Sequence, residues 1–414
     1  MPGEVPSGWQ RSALGQQLAA IRGGGTPPRD VSAFWNGPIP WASVKDITAG
    51  LRTGTQESIT EAGLRESASS VAPAGTVVLA TRMAVGKSIR FTVDVAINQD
   101  LKALIPQPTL SADFLHAWLH AHEERIAATA TGSTVKGIRV EYLEAMTLLL
   151  PPLPEQKKIA AILSSVDEAI QATQAVIDQT RRVKEGLLQD LLTRGLPGHT
   201  RFKQTEIGEI PESWEVRHVG SLGKVKGGKR LPAGSKYPDS PTPFRYIRVS
   251  DFAEGTVTSG SVKCIDADAA SAIKRYTISS RDIYISIAGT LGVVGTVPAE
   301  LDGAFLTENA AKIVLIPVGP VCRDFLQLVL ASDIGQRQVK EETGTGAGVP
   351  KLALFRIESI LVPVPPMAEQ ESVCKIVSGV SAVLEKTLRE HEELAKLKAG
   401  LLQDLLTGKV RVTP

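Results

Sequence analysis

The sequence predicts an α+β protein: two α/β globular blocks separated by two long helices that form an antiparallel intramolecular coiled coil, in a pseudo-two-fold arrangement. Three observations carry that expectation. The string GLLQDLLT occurs twice, at 186–193 and 400–407. It closes two longer segments, 151–195 and 365–409, that align without a gap at an offset of 214, with 17 of 45 positions identical. Each segment follows a block that opens on a tryptophan (Gly8-Trp9, Ser213-Trp214) and a glycine-rich turn (Gly23-Gly24-Gly25, Gly227-Gly228) and then diverges. A gapless duplication marks a repeated structural element. One scaffold carrying two different specificities is implied.

The elements follow in order. The first block covers 1–150. Its runs 75–80 and 89–95 are β-branched and bounded by Gly or Pro, as strands are, and 114–128 has helical apolar spacing. The first long helix covers 151–195, where Pro152 ends the preceding strand and suits a helix start. A seven-residue row, Ile159, Val166, Thr173, Thr180 and Leu187, is flanked by Ile162, Ala169, Val176 and Val183. Spacings alternating between three and four describe a coiled-coil seam. About 38 helical residues would span about 57 Å, and so long and one-sided a helix needs a partner. Its own repeat can supply one.

A linker at 196–208 leads to the second block, 209–364, with strand-like runs 282–287 and 312–316 and a helical pattern at 323–340. Val249-Ser250-Asp251 and Gly255 there answer Val44-Lys45-Asp46 and Gly50 at an offset of 205. Gly and Pro crowd both blocks, and a curled sheet with a few helices is expected in each. The second long helix, 365–409, starts after Pro366. Its rows are Val373, Val380, Thr387, Leu394, Leu401 and Ile376, Val383, Glu390, Leu397. Thr173, Thr387 and Glu390 are polar residues in these rows: either they sit in the seam, where they cost stability but fix register, or the stripe drifts towards solvent there.

Composition narrows the function. A chain of 414 residues can hold two to four domains. No apolar run approaches the roughly 20 residues of a membrane span, so no membrane association is expected, and the opening residues lack a secretory pattern. Cys264, Cys322 and Cys374 are far apart and odd in number, which fits reduced cytoplasmic thiols better than a disulfide frame or a zinc site. Net charge is only +2, so polyanion binding must come from local patches.

Several catalytic signatures come close and fail. Thr81-x4-Gly86-Lys87-Ser88 resembles a phosphate-binding loop, but its first glycine is a threonine and the strand-like 89–95 follows where a helix is needed. The glycines at 344, 346 and 348 look like a cofactor turn, yet charged Lys340-Glu341-Glu342 precedes them in place of a buried strand. No Asn-Pro-Pro or Asp-Pro-Pro motif of the amino-methyltransferases is present. His116, His120 and His122 beside Glu123 and Glu124 read as a wet helix face more readily than as a zinc pair. Pro238-Asp239 is not followed by the acid-x-Lys of a nuclease. Accordingly no catalytic residue, metal or cofactor is expected.

Nucleic acid is the better match. Residues 221–237 carry Lys224, Lys226, Lys229, Arg230 and Lys236 with no acid, and their glycines allow close backbone approach. Lys229 and Arg230 are expected to grip phosphates, which positions a protein without reading sequence. The first-block turn is weaker, with Arg22, Thr26 and Arg29. Base reading needs Arg, Lys, Asn or Gln at rigid positions facing the major groove. The candidates are Lys45, Arg52, Arg82 and Lys87 in the first block, and Arg245, Arg248 and Ser250 in the second. The loops 131–136 and 343–351, before the two helices, add Lys136 and Lys351.

Together these features resemble the specificity subunit of type I restriction–modification enzymes over the whole chain. GGGTPPRDVSAFWNGPIPWASVKDI looks like the start of that family's target recognition domains. PPLPEQKKIAAIL and PPMAEQESVCKIV look like the junctions into its helical regions, and GLLQDLLT like their ends. VKGGKRLPAGSKY departs by lacking the Thr-Pro-Pro turn. The resemblance implies a non-catalytic subunit whose two recognition domains each read half of a bipartite site in double-stranded DNA, while the helices set the unread gap. It also implies two methyltransferase (M) subunits docking near the helices and restriction/translocase (R) subunits joining for cleavage. A coiled-coil adaptor for proteins would show acidic or apolar patches instead of basic loops, and a stand-alone enzyme would need a cofactor or metal constellation.

Overall fold

The computed structural model describes residues 5–50, 52–132, 136–342 and 351–412. The chain divides into two compact units, Met1–Ala175 with Leu388–Pro414, and Val176–Thr387. Both are built to one plan.

In the first unit, strands Leu18–Gly23, Leu101–Pro106, Val77–Ala80 and Ser88–Arg90 form one antiparallel sheet, in that spatial order. A second sheet runs Glu57–Ile59, Trp35–Ala42, Val95–Ile97, Ser70–Ala72, with its central pair parallel. Gln10–Ala13 pairs with Thr147–Leu150 to close the block. The second unit repeats this with Gly223–Gly227, Ala310–Leu315, Ile283–Ser286 and Val294–Thr296, then Lys263–Cys264, Arg245–Ile247 and Phe305–Leu306 with the same parallel pair, and Glu215–His218 on Leu361–Val364.

A single curled sheet per block is therefore replaced by several small ones. The chain switches sheets between Val95–Ile97 and Leu101–Pro106 at a tight turn, where Asp100 N donates to Asn98 Oδ1 at 3.1 Å. For the same reason the expected strand 89–95 is two pieces. Ser88–Arg90 lies in one sheet and Val95–Ile97 in the other, and Asp94 between them accepts a 2.7 Å bond from Ala74 N. The expected helix 114–128 breaks at His122, whose ring caps Trp118 O at 2.8 Å, giving Ala112–Ala121 and Glu123–Ala128. Likewise 323–340 breaks at Ser332 into Arg323–Ala331 and Asp333–Glu342.

The long helices run Leu153–Thr193 and Met367–Leu406. Gln156 N donates to Pro152 O and Gln370 N to Pro366 O, so each proline carbonyl takes a first-turn bond. Within the first unit Ile159 and Leu163 share a core with Leu401, Leu402, Leu405 and Leu406, and Asp167 pairs with Lys398 at 2.6 Å. Within the second, Leu187, Leu188, Leu191 and Leu192 share a core with Val373 and Val377. The start of one helix joins the end of the other in each unit, so the pair is antiparallel. Each buried leucine contributes about 1.5–3 kcal/mol.

One seam row is as expected and the other lies one residue along. Leu163 and Ile177 are buried, as is Val377, whereas Val176, Val183, Ile376, Val383 and Leu397 are 39–54 % exposed and Glu390 faces solvent. Packing selects the i+4 neighbour over the i+3. Thr173 and Thr387 satisfy their hydroxyls on their own helices, at Ala169 O and Val383 O.

The repeated Glu-Gln at each helix start is a junction. Gln156, fully buried, accepts from Ser111 N at 2.8 Å and donates to Thr109 O and Pro151 O. Gln370 does the same with Cys322 N, Pro320 O and Pro365 O. Glu155 accepts from the Trp9 indole at 3.0 Å and from Arg411. Glu369 accepts from the Trp214 indole at 3.0 Å, from His199 and from Leu196 N. The tryptophan signatures are thereby explained.

Candidate nucleic-acid interface

The glycine-rich turns meet the ends of the parallel strands. A Cβ on Gly24 would sit 1.9 Å from Ile97 O, and one on Gly228 2.0 Å from Thr307 O, so only glycine allows this approach. Gly25 N donates to Ile97 O at 3.1 Å and Lys229 N to Leu306 O at 2.9 Å, matching the two turns residue for residue. The next side chains reach the polar triplet that follows the strand, Asn98-Gln99-Asp100 in one unit and Thr307-Glu308-Asn309 in the other. Thr26 Oγ1 donates to Gln99 Oε1 at 2.5 Å, and Arg230 Nε donates to Glu308 Oε1 at 2.6 Å. One corner of the fold thus holds a neutral pair in the first unit and an ion pair in the second.

The Val-x-Asp echo borders the same corner. Asp46 and Asp251 are buried and cap their own turns, accepting from Ser43 N at 2.7 Å and Arg248 N at 2.8 Å. The variable residue, Lys45 or Ser250, is left exposed. In the second unit Arg230, Arg248, Ser250, Tyr237, Glu308 and Asn309 line a recess of about 360 Å³. Lys229 stands beside it, its carbonyl taking a 3.0 Å bond from Tyr246 OH.

The cations are not equally available. Both terminal nitrogens of Arg29 go to Glu57, and its guanidinium lies 3.9 Å from the Trp35 ring centroid, so this arginine is largely spent on holding the turn. The hydrogen bond to Glu57 raises Arg29 and holds the Glu57 carboxyl below its ordinary value. Arg248 is similarly held, by Asp251 Oδ1 at 2.7 Å and Ser261 O at 3.1 Å. Burial pushes the Glu308 carboxyl up, but Arg230 and Thr307 outweigh it and the net shift is downward.

A second cluster lies on the turn between Val77–Ala80 and Ser88–Arg90. Arg82, exposed and 4.0 Å from Asp100, bridges to Gly137; Met83 N donates to Lys136 O at 3.2 Å; Lys87 is exposed. The matching turn of the second unit carries Ala288, which bridges to Lys351. A cation present on the turn in one unit stands on the opposing loop in the other. Arg52 does not join these residues; it lines a separate recess with Arg90, Asp113, His116, Asp167 and Lys398. Arg245 is exposed, with Cys264 Sγ 3.4 Å from its Nη1. The stretch 343–350, with the glycines at 344, 346 and 348, and residues 133–135 lie outside the described residues.

Gln99, Glu308 and Asn309 were not singled out from the sequence. The signal was present: Ala96-Ile97-Asn98-Gln99-Asp100 and Phe305-Leu306-Thr307-Glu308-Asn309 are both strand ends followed by three polar residues, at an offset of 209. Ser88 enters a strand. His116 contacts Ser88 O at 3.3 Å, His120 contacts Lys398 at 2.7 Å, and His122 stacks on Trp118. Among the described residues no group of three or more His, Cys, Asp or Glu side chains is placed to hold a metal, and no helix is long and apolar enough to cross a membrane.

Residues 6–180 and 211–398 match the type I restriction modification DNA specificity domain. The chain is 24% identical to the type I restriction enzyme MjaIX specificity subunit of Methanocaldococcus jannaschii, over 99% of this chain and 95% of that one. It is 25% identical to the MjaVIII specificity subunit of the same organism, over 72% and 70%. In structure it resembles the type I restriction–modification S subunit of M. genitalium, with a TM-score of 0.62, 17% identity, and coverage of 100% and 99%.

Proposed function

The chain belongs to the type I restriction–modification DNA specificity family, whose model spans both units, and from that premise we propose that each unit reads one half of a divided DNA site. The single observation that carries this is the matched corner with unmatched chemistry: Thr26 on Gln99 in one unit, Arg230 on Glu308 in the other. A shared backbone frame with exchanged polar groups is what two readers of different sequences need. In this reading 1–150 and 209–364 are the target recognition domains, 151–195 and 365–409 the spacer helices, and 196–208 the linker. The exposed cations Lys136, Lys229 and Lys351, together with Lys45, Arg82 and Lys87, which the sequence offers as base readers, are here assigned to the phosphates around each half-site, where they set register without choosing sequence.

The chain supplies recognition and no chemistry of its own, and acts in the cytoplasm. Two methyltransferase subunits dock on the helices, and restriction subunits join them. Support for docking is the apolar row left outside the seam, with Val176, Val183, Ile376 and Val383 exposed. Co-expression with its methyltransferase partner, followed by mapping of methylated bases, tests the reading. A two-part motif whose gap lengthens when two helical turns are inserted beside Thr180 is expected. A continuous motif, or a change in the bases themselves, would overturn it.

A further inference from the structure

Resting on the reading that each unit reads one half-site, we propose that the paired corner chooses a base in each half: Gln99, steadied by Thr26, takes adenine, and Arg230, steadied by Glu308, takes guanine. Arg230 is 78 % exposed at its side chain, and its one hydrogen bond among the described residues leaves through Nε. Glu308 is itself held by Thr307 Oγ1 at 3.0 Å and Tyr246 OH at 3.4 Å. The guanidinium is thus gripped from behind, and its two terminal nitrogens remain to donate side by side, as guanine O6 and N7 require. Arg29 and Arg248 lack this property: both terminal nitrogens of Arg29 are committed to Glu57, and Nη2 of Arg248 is committed to Asp251 and Ser261, so neither keeps a pair to offer.

Gln99 is exposed, and Thr26 fixes the orientation of its amide by donating to Oε1. That oxygen has a second lone pair for the adenine amino group, and Nε2 is left to donate to N7. Rigid anchoring is what separates a base reader from a flexible phosphate contact. Arg230 therefore belongs with the readers, whereas Lys229, with no side-chain ion pair among the described residues, keeps the phosphate role.

Selection of bound duplexes from a randomised library by the full chain tests the assignment, with sequencing of what is retained. The wild type should enrich a divided motif with a required A·T pair in one half and a required G·C pair in the other. Arg230→Thr with Glu308→Gln should lower the guanine preference by about tenfold or more in that half alone, and Thr26→Arg with Gln99→Glu should change only the other half. Circular dichroism melting identifies a variant that fails to fold; Arg230→Lys, which removes the fork and keeps the charge, then supplies the comparison and should relax the guanine position. Unchanged motifs, or a uniform loss of affinity with preferences intact, would overturn the assignment while the half-site reading stands. A wild-type library with no divided motif would overturn both.

Discussion

The junction at each helix start and the corner at each strand end differ in what they hold constant. At the junctions both units use the same dipeptide for the same bonds: a buried glutamine tying three backbone groups, and a glutamate taking an indole N–H. At the corners the backbone is shared and the side chains are exchanged. Residues that pack helix on block are confined by burial, because replacing any of them leaves a polar group without a partner. At the corner Gln99 and Arg230 face water, and the pair they belong to is free to differ between units. The comparison teaches that scaffold and specificity are separable within one unit.

The largest expected effect breaks the constant part. Gln156→Ala, or Gln370→Ala, strands two carbonyls and an N–H, and should cost about 3 kcal/mol in the affected unit. Hydrogen exchange read by mass spectrometry, which resolves the two units, would show the loss. A cost below about 1 kcal/mol would mean that water replaces the amide and that burial does not confine this position.

Acid should separate the units next. Burial pushes His116 from 6.5 down to about 4, against the Ser88 carbonyl bond, with His120, Arg90 and Arg52 adding to the fall. A base with a depressed folded value stabilises fully above 6.5, and that contribution is lost as pH falls towards 4. The carboxyl of Glu155, held down chiefly by Arg411, begins to lose its contribution as pH drops below 4.5. The second unit has Gln327 where the first has His116, in the matching runs Asp113-Phe114-Leu115-His116 and Asp324-Phe325-Leu326-Gln327. His116→Gln should therefore remove about 2 kcal/mol of acid sensitivity from the first unit near pH 4.5. Thermal melting at stepped pH checks it, and an unchanged pH profile would place the sensitivity elsewhere.

Salt sharpens the contrast between positioning and reading. Lys87→Ala with Lys136→Ala should lower the slope of log affinity against log salt by up to about two units, with the half-site preference intact. Titration of a labelled duplex at several salt concentrations measures both, and a relaxed motif would make that turn a reader. The smallest effect concerns the thiols. Cys322→Ser with Cys374→Ala installs the first unit's Ser111 and Ala160 at the second junction, and should shift stability by less than about 1 kcal/mol. A larger loss in urea unfolding would show that the two junctions are not interchangeable.

The scaffold was more legible than the site. The duplicated helix, its proline starts and one seam row could be read because local spacing encodes them. The other row slipped because apolar residues stand side by side, Ile162 with Leu163, Val176 with Ile177, Ile376 with Val377, and only packing chooses between them. The job of Glu155 was illegible because its indole partner lies 146 residues away and its guanidinium partner 256. Arg29 and Arg248 look like available cations in the sequence, since nothing local announces Glu57 or the Ser261 carbonyl as their acceptors. Gln99 carries no charge, and its partner Thr26 lies 73 residues away, so nothing local marks it as part of the corner.

The division of the chain also sets an order of assembly. Residues 176–387 are contiguous and hold every part of the second unit, whereas the first unit needs 388–412, whose Leu401, Leu405 and Arg411 complete its core and its glutamate junction. During synthesis the first block emerges before Leu401, Leu405 and Leu406, so its core is completed only after the second unit has been made. The unit translated first is thus the one finished last. That delay exposes the nascent chain to chaperone capture and to aggregation over the time taken to add more than two hundred residues, at about 5–20 per second.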